Sequence, residues 1–197
     1  MTITEARRLC RDYHYSDIHT EDDTFLYTEA LAFLIEATKN PSYMVELGGH
    51  YYARKDFHLA RKYYELAAAY DSEIAYECLG YIWYYGRTGE RDYEKAFYYY
   101  KKAAERGNIV CQYKLADMFK NGYGVEKDYD RYRAIIKNLY PKVKDSRSVY
   151  DPVPEIFTRL ARIYTEEGLI DDAIQLYFYA KNFLAQRISY KCILRKS

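Results

Sequence analysis

The stretch FKNGYGVEKDY, residues 119–129, is a glycine-rich turn between two segments with a helical pattern, about 109–121 and 128–140. Gly122 and Gly124 allow the positive φ angles that the backbone needs where a helix ends and the chain turns back. No Lys-Ser or Lys-Thr pair opens the following helix, so the glycines lack the companions of a phosphate-binding loop. The stretch therefore predicts a helical hairpin.

The hairpin pattern recurs along the chain. A Leu-Gly or Leu-Ala pair marks the first helix of each repeat, at Leu47-Gly48, Leu79-Gly80, Leu115-Ala116 and Leu160-Ala161. An Ala-x3-Tyr-x2-Ala pattern marks the second helix, at Ala60/Tyr64/Ala67, Ala96/Tyr100/Ala103 and Ala173/Tyr177/Ala180, and the third repeat has Tyr132/Ile136/Leu139 instead. Small residues let paired helices cross closely while large residues fill the gaps. One hairpin cannot bury its apolar face, so the pattern predicts stacked hairpins.

This arrangement resembles the tetratricopeptide repeat (TPR) superfamily, and two repeats are similar to its longer branch, the Sel-one-like repeat (SLR). Residues 119–129 are similar to the SLR turn Tyr-x-x-Gly-x-Gly-Val-x-x-Asp-Tyr, and Trp83 to Ala96 is a looser copy. The resemblance covers about residues 41–188. It implies an all-α fold, a right-handed α-α superhelix built as a solenoid of helical hairpins. A scaffold of this kind hosts many binding roles, so the resemblance does not by itself name a function.

The predicted organisation is a single solenoid domain over residues 1–197. Its parts are a divergent N-terminal capping hairpin (1–40), a TPR-like repeat (41–72), two SLR repeats (73–108 and 109–140), a linker loop (141–153), a second TPR-like repeat (154–187) and a basic C-terminal tail (188–197). Asn40-Pro41 predicts the start of the first repeat, because Asn caps helices and Pro favours the first helical position. Pro141, Pro152 and Pro154 interrupt the helical pattern and indicate the linker.

The composition excludes several classes of function. Lys and Arg number 30 and Asp and Glu 29, so the net charge is +1. That balance argues against binding of nucleic acid through bulk positive charge and against a polybasic membrane binder. No apolar run approaches the length of a membrane span, and the first residues lack the apolar segment of a secretory signal. We expect a cytoplasmic protein with no membrane and no nucleic acid among its partners.

The 27 tyrosines supply much of the apolar content, so they are expected both in the core and in wet grooves. In TPR-like stacks the first helices line a concave face, and carrying this over by the Leu-Gly pairs implies a tyrosine-rich groove. Its partner-binding residues are Tyr52, Glu77, Tyr81, Tyr84, Tyr85, Tyr113, Asp117, Lys120, Asn121 and Arg162. Tyrosine gives broad contact with few rotatable bonds, which suits binding of an extended peptide or a helix. The alternative is that such tyrosines fill space between repeats, as Tyr51, Tyr64 and Tyr100 are expected to.

The cysteines and histidines do not indicate a catalytic or metal site. A segment near the N-terminus has ligand types for a metal, but their spacing does not place two of them on one helical face. These residues are Cys10, His14, Asp17, His19, Asp22 and Asp23. The chain also lacks the sequence motifs of common hydrolases and nucleotide-binding enzymes. We expect no enzyme activity, no metal and no cofactor.

The leading hypothesis is a non-enzymatic protein- or peptide-binding scaffold or adaptor, as a monomer or weak homo-oligomer. One alternative is a sensor or effector arm of a regulatory complex. A second is a β-lactam-binding hydrolase-like SLR protein, although this chain lacks the paired cysteines of those secreted relatives. A third is a self-associating stack, through a C-terminal edge that contains Leu184, Ile188 and Ile193.

The scattered cysteines lead to a first prediction. Cys10, Cys78, Cys111 and Cys192 should all be reduced, because buried cysteines of cytosolic proteins behave as small apolar side chains. Thiol titration of the denatured, unreduced protein should therefore find four reactive groups per chain. A smaller number would show that a disulfide forms.

Overall fold

The computed structural model describes residues 1–16, 18–146, 148 and 151–194, with the backbone alone over 190–194. Within these residues the chain forms ten helices and no strand, so the predicted all-α fold of helical hairpins is confirmed. The helices are α1 (Ile3–Tyr15), α2 (Glu21–Thr38), α3 (Pro41–Ala53), α4 (Phe57–Ala68), α5 (Glu73–Tyr85), α6 (Tyr93–Glu105), α7 (Ile109–Asn121), α8 (Tyr129–Val143), α9 (Val153–Glu166) and α10 (Ile170–Leu194).

Side-chain caps define where most of these helices begin. Thr2 and Thr20 form capping boxes. Each hydroxyl accepts a hydrogen bond from the backbone N–H of the acidic residue three positions later, Glu5 or Asp23. The carboxylate of that residue accepts one from the threonine's own backbone N–H. Asn40 caps α3 immediately before Pro41, as the sequence predicts. Among the described residues, none of the helices combines the length and apolar character that crossing a lipid bilayer requires.

The Leu-Gly pairs mark the places where two helices of a hairpin come closest. A Cβ atom built on Gly48 of α3 would lie 2.7 Å from Cε1 of Tyr64 on α4. One built on Gly80 of α5 would lie 2.5 Å from Cδ1 of Tyr100 on α6. Both distances are shorter than a carbon–carbon contact, so only glycine leaves room for the tyrosine ring.

Two turns close in the same way and create the longer hairpins. Each begins with a glycine in the left-handed region, Gly86 with φ +62° and Gly122 with φ +73°. Each ends with an aspartate whose backbone N–H donates back across the turn, Asp92 to the carbonyl of Trp83 at 3.1 Å and Asp128 to that of Phe119 at 2.9 Å. The same aspartates then accept from the first turn of the next helix.

The chain divides into two compact units, residues 1–103 and 104–197, and each is described by itself. In the first unit, successive helices from α1 to α5 pack pairwise along the chain. Fully buried side chains of its core include Leu31, Leu34, Met44, Leu47, Leu79 and Ile82. In the second unit α7 packs on α8, α8 on α9 and α9 on α10. Its core includes Ile136, Leu139, Val143, Ile156 and Leu160.

Several helix boundaries differ from the prediction. The segment predicted as a linker from Pro141 is helical up to Val143, because Pro141 lies in the last turns of α8, where few backbone bonds remain to be lost, and Val143 is buried. The predicted tail from residue 188 is the continuation of α10 to Leu194.

The fourth repeat places a different residue in the core than its pattern indicates. Ala173 and Ala180 are buried as the second-helix pattern predicts, but Tyr177 is 41% exposed. Leu176 is 5% exposed and occupies the core instead. A shift of one residue along a helix turns a side chain by about 100°, so α10 directs Tyr177 outward.

Buried tyrosines form part of the core, as the composition predicts. Tyr27, Tyr64 and Tyr132 are almost fully buried. The Tyr27 hydroxyl donates to Glu46 Oε1 at 2.9 Å, and the Tyr64 hydroxyl donates to the thiol of Cys78. Burial, first among the causes, raises the pKa of Tyr27 and Tyr64 and raises that of Tyr132 to about 12.

Replacing each of two adjacent glycines of α3 tests the close crossing. Gly48→Ala should destabilise the chain by about 1–3 kcal/mol, because the new methyl group overlaps the Tyr64 ring. Gly49→Ala is the matched control, since its Cβ would lie 3.8 Å from the Tyr64 hydroxyl oxygen, an ordinary van der Waals contact. There alanine should stabilise the helix by up to about 1 kcal/mol. Urea unfolding followed by circular dichroism measures both, and equal effects would contradict the crossing.

The buried tyrosines predict alkaline unfolding. Their pKa values are raised above the unfolded value of about 10, so the neutral form favours the folded state. The stability they contribute is complete below about pH 10 and is lost as the pH rises through their folded pKa values, about 12 for Tyr132. Tyrosinate absorbance and helical circular dichroism should therefore change together in that range. Full tyrosine ionisation with unchanged helicity would contradict it.

Candidate functional site

An aromatic patch lies at the carboxyl end of α5 in the first compact unit. It contains Tyr52, Phe57, Tyr81, Tyr84, Tyr85 and Arg87. The rings form a continuous chain of contacts, with centroid distances of 6.1 Å from Tyr52 to Tyr81 and 4.4 Å from Tyr81 to Tyr85. Phe57 lies edge-on to Tyr52 at 5.1 Å. Four of the residues predicted for partner binding therefore stand together: Tyr52, Tyr81, Tyr84 and Tyr85.

Arg87 joins the rings of the patch and is not among the binding residues predicted from the sequence. Its guanidinium lies 5.4 Å from the ring centre of Tyr81 and 5.6 Å from that of Tyr85. Its Nη2 also donates to the hydroxyl of Tyr81 at 3.1 Å, and this bond raises the pKa of the guanidinium. The one signal in the sequence is its place just after Gly86, where the chain turns back over the helix that it has left.

A groove of about 260 Å³ opens beside the patch. It is lined by Tyr52, Tyr64, Glu77, Cys78 and Tyr81. Burial raises the pKa of the Cys78 thiol to about 11, so the thiol is protonated at neutral pH and is a poor nucleophile. Burial likewise raises the pKa of Tyr52. The groove therefore presents aromatic surface and one carboxylate, Glu77, and not a reactive centre.

The predicted residues of the second compact unit lie on α7 and α9. Asp117 is held by Arg159, whose Nε donates to Oδ1 at 2.8 Å and whose Nη2 donates to Oδ2. The Arg159 guanidinium also lies 4.7 Å from the ring centre of Tyr113, which is 8% exposed. This paired arrangement links α7 to α9 and accounts for Tyr113 and Asp117 as packing groups. Nothing in the sequence marked Arg159 as their partner.

The remaining predicted residues of this unit are more open. Lys120 Nζ lies 5.1 Å from the ring centre of Tyr132. Asn121 is exposed and donates through Nδ2 to the backbone carbonyl of Asp117 at 2.7 Å, and Arg162 is exposed. The predicted site residues thus form two groups, one in each compact unit. Their convergence into one groove stays a prediction.

The N-terminal segment that contains metal-ligand residue types makes aromatic and polar contacts within the chain. The Tyr13 ring stacks on His19 at 3.8 Å and on Tyr27 at 4.0 Å. His14 Nε2 lies 2.9 Å from Glu46 Oε1. Asp17 lies outside the described residues, and among those that are described no group of three potential metal ligands occurs.

Known proteins give independent information on the fold. A model of the Sel1 repeat matches residues 42–69, 75–108 and 109–135. The first match coincides with most of the repeat predicted over 41–72 as TPR-like, so that repeat also has Sel1 character. No curated protein sequence matches the chain.

Solved structures with low sequence identity share the fold. The chain is similar to c5321, a protective antigen present in uropathogenic Escherichia coli strains displaying an SLR fold, with a TM-score of 0.73 and 23% identity. That match covers 92% of this chain but 38% of c5321, so the chain spans less than half of that protein's length. A Sel1 repeat protein from Oxalobacter formigenes is similar with a TM-score of 0.65 and 21% identity, covering 92% and 70% of the two chains.

MamA is a further relative in structure, with a TM-score of 0.55, 16% identity and coverage of 89% of this chain and 99% of its own. Identities this low show shared architecture alone. Together with the repeat matches and the glycine turns described above, they agree with the fold that the sequence implies. Three segments of the chain therefore match the Sel1 repeat, and the chain has the fold of TPR-like helical repeats.

Proposed function

We propose that the chain is a non-enzymatic scaffold that binds an extended peptide or a helix of a partner protein through the aromatic patch and its groove. The observation that carries the proposal is the continuous set of partly exposed rings around Arg87, beside a groove of about 260 Å³. Sel1 and TPR-like repeats commonly serve as interaction scaffolds and are generally non-catalytic.

The rings of the patch are suited to binding because they are already ordered. Each tyrosine touches at least one other aromatic side chain, so little rotamer freedom remains to be lost when a partner binds. Tyrosine and arginine are also the side chains that most often supply large parts of a binding energy. The patch combines both, since Arg87 lies against Phe57, Tyr81 and Tyr85.

Polar groups at the edge of the patch would orient the partner. Glu77 lines the groove and Arg87 lies over the rings, so both signs of charge are available. A strongly acidic or basic partner is not required, which agrees with the net charge of +1 and with a partner that is neither nucleic acid nor membrane. In the second unit, Lys120, Asn121 and Arg162 stay predicted partner contacts, whereas Tyr113 and Asp117 pack against Arg159.

A reducing compartment fits the proposal. Cys10 and Cys78 are present as thiols, and Cys78 lines the groove itself. Free thiols of this kind persist in a reducing compartment. We propose a cytoplasmic location for the scaffold on this ground.

The patch can be tested with peptides displayed on phage. A random peptide library is selected on the immobilised full chain, and the dissociation constants of the selected peptides are measured for variants. Tyr81→Ala should weaken binding by about 2 kcal/mol, roughly thirtyfold, because it removes the ring that joins the patch to the groove. Tyr98→Ala is the matched control, an exposed tyrosine of α6 outside the patch, and should change little.

Circular dichroism must show equal helicity for both variants. Selected peptides that lose affinity with Tyr98→Ala but not with Tyr81→Ala would contradict the proposed site. A selection that yields no peptide above background would contradict peptide binding. Tyr113 is a weaker choice for substitution, because its ring packs under Arg159 and truncation would also disturb the core.

A further inference from the structure

The last helix, α10, carries two apolar stripes. One stripe is buried against α9 and includes Ala173, Leu176 and Ala180. The other is turned by about one residue and is exposed. Its members are Ile170, Ile174, Tyr177, Lys181, Leu184 and Ile188. The exposed fractions reach 59% at Ile174 and 64% at Ile188. Apolar side chains that share a stripe and stay exposed are typical of an interaction surface.

The spacing of the exposed stripe indicates the kind of partner. Its residues follow one another at intervals of four and three in strict alternation, from Ile170 to Ile188. This is the heptad spacing of coiled coils, in which side chains of one helix pack knobs-into-holes against a second helix. A partner for this stripe is therefore a helix that lies along α10.

We propose that the partner is α10 of a second copy of this chain, packed antiparallel, so that the protein forms a symmetric dimer. In an antiparallel pair centred between Tyr177 and Lys181, the stripe is complementary to itself. Ile170 faces Ile188 of the second copy and Ile174 faces its Leu184. All the aliphatic members of the stripe then meet aliphatic members, as a two-fold interface requires.

Lys181 selects the antiparallel direction. It is the one charged residue of the stripe, and in the antiparallel pair it faces Tyr177 of the second copy, where an ammonium group over a tyrosine ring is favourable. In a parallel pair Lys181 would face Lys181 of the second copy, and two positive charges would meet in the interface.

The surface beside the stripe has room for the second helix. An apolar groove of about 400 Å³ runs along α10 next to α9. Its lining residues are Thr158, Tyr177, Ala180, Lys181, Leu184, Ala185 and Ile188. The alanines keep the floor of the groove low, so the backbone of a second helix can approach closely.

Sedimentation equilibrium of the full chain tests the dimer. We expect a mass of twice 23.6 kDa that falls to that of the monomer on dilution. Ile174→Asp should weaken association by at least about tenfold, because it places a carboxylate in the apolar seam. Ile74→Asp is the matched control, since Ile74 on α5 is 57% exposed and lies outside the stripe. Both variants should keep the helical circular dichroism of the original chain.

Disulfide trapping tests the direction. In a Cys192→Ser background, which removes the native cysteine of α10, Ile174→Cys and Leu184→Cys are made as separate variants of different tag length. Mixing the two under mild oxidation should give a cross-linked heterodimer, and neither variant alone should cross-link efficiently. The background variant without a new cysteine gives the blank.

Three results would overturn the proposal. One is a chain that stays monomeric at the highest concentration reached. Another is efficient cross-linking of the Ile174→Cys variant with itself, which would indicate a parallel pair. The third is association that survives Ile174→Asp but is lost with Phe25→Asp, which would indicate open-ended contact through the exposed Phe25 of α2.

Discussion

The contact of a tyrosine ring with the backbone of a glycine fixes the separation of the paired helices in two of the repeats. The ring of Tyr64 packs on Gly48 and the ring of Tyr100 packs on Gly80, at distances that leave no space for a side chain on either glycine. The orientation of α5 follows from this contact. With Gly80 facing α6, Tyr81 at the next position and Tyr85 one turn after it are directed away from the core, while Tyr84 lies toward α6 beside Tyr93. The aromatic patch depends on that rotation.

Tyrosine consequently has two roles in this chain, and position on the helix decides between them. Tyr64 and Tyr100 lie on second helices and fill the space that glycine leaves. Tyr81 and Tyr85 lie on a first helix and form surface. The hydroxyl makes both roles possible, because it can donate to a buried acceptor such as the Cys78 thiol or receive a bond from the exposed Arg87.

The sequence alone was sufficient for features that arise within one hairpin. The glycine turns, the caps and the Leu-Gly pairs all act over short distances along the chain, so the sequence alone assigns Gly86 and Gly122 to turns. Contacts between distant residues were not predictable in the same way. Arg159 pairs with a carboxylate 42 residues earlier, and neither residue type nor local pattern indicates which acid it will meet.

The glycine–tyrosine contact also limits how the repeats can change over time. The two repeats with glycine in the first helix have a buried tyrosine opposite, whereas the third has Ala116 with Ile136 and the fourth has Ala161 with Leu176 in the core. Where the first helix has alanine in place of glycine, the second helix has an aliphatic side chain in place of tyrosine. The summed side-chain volume at the crossing therefore varies little. Neither helix can change this position alone without strain. Recombination between repeats would therefore succeed when it exchanges whole hairpins and would fail when its breakpoint falls inside one.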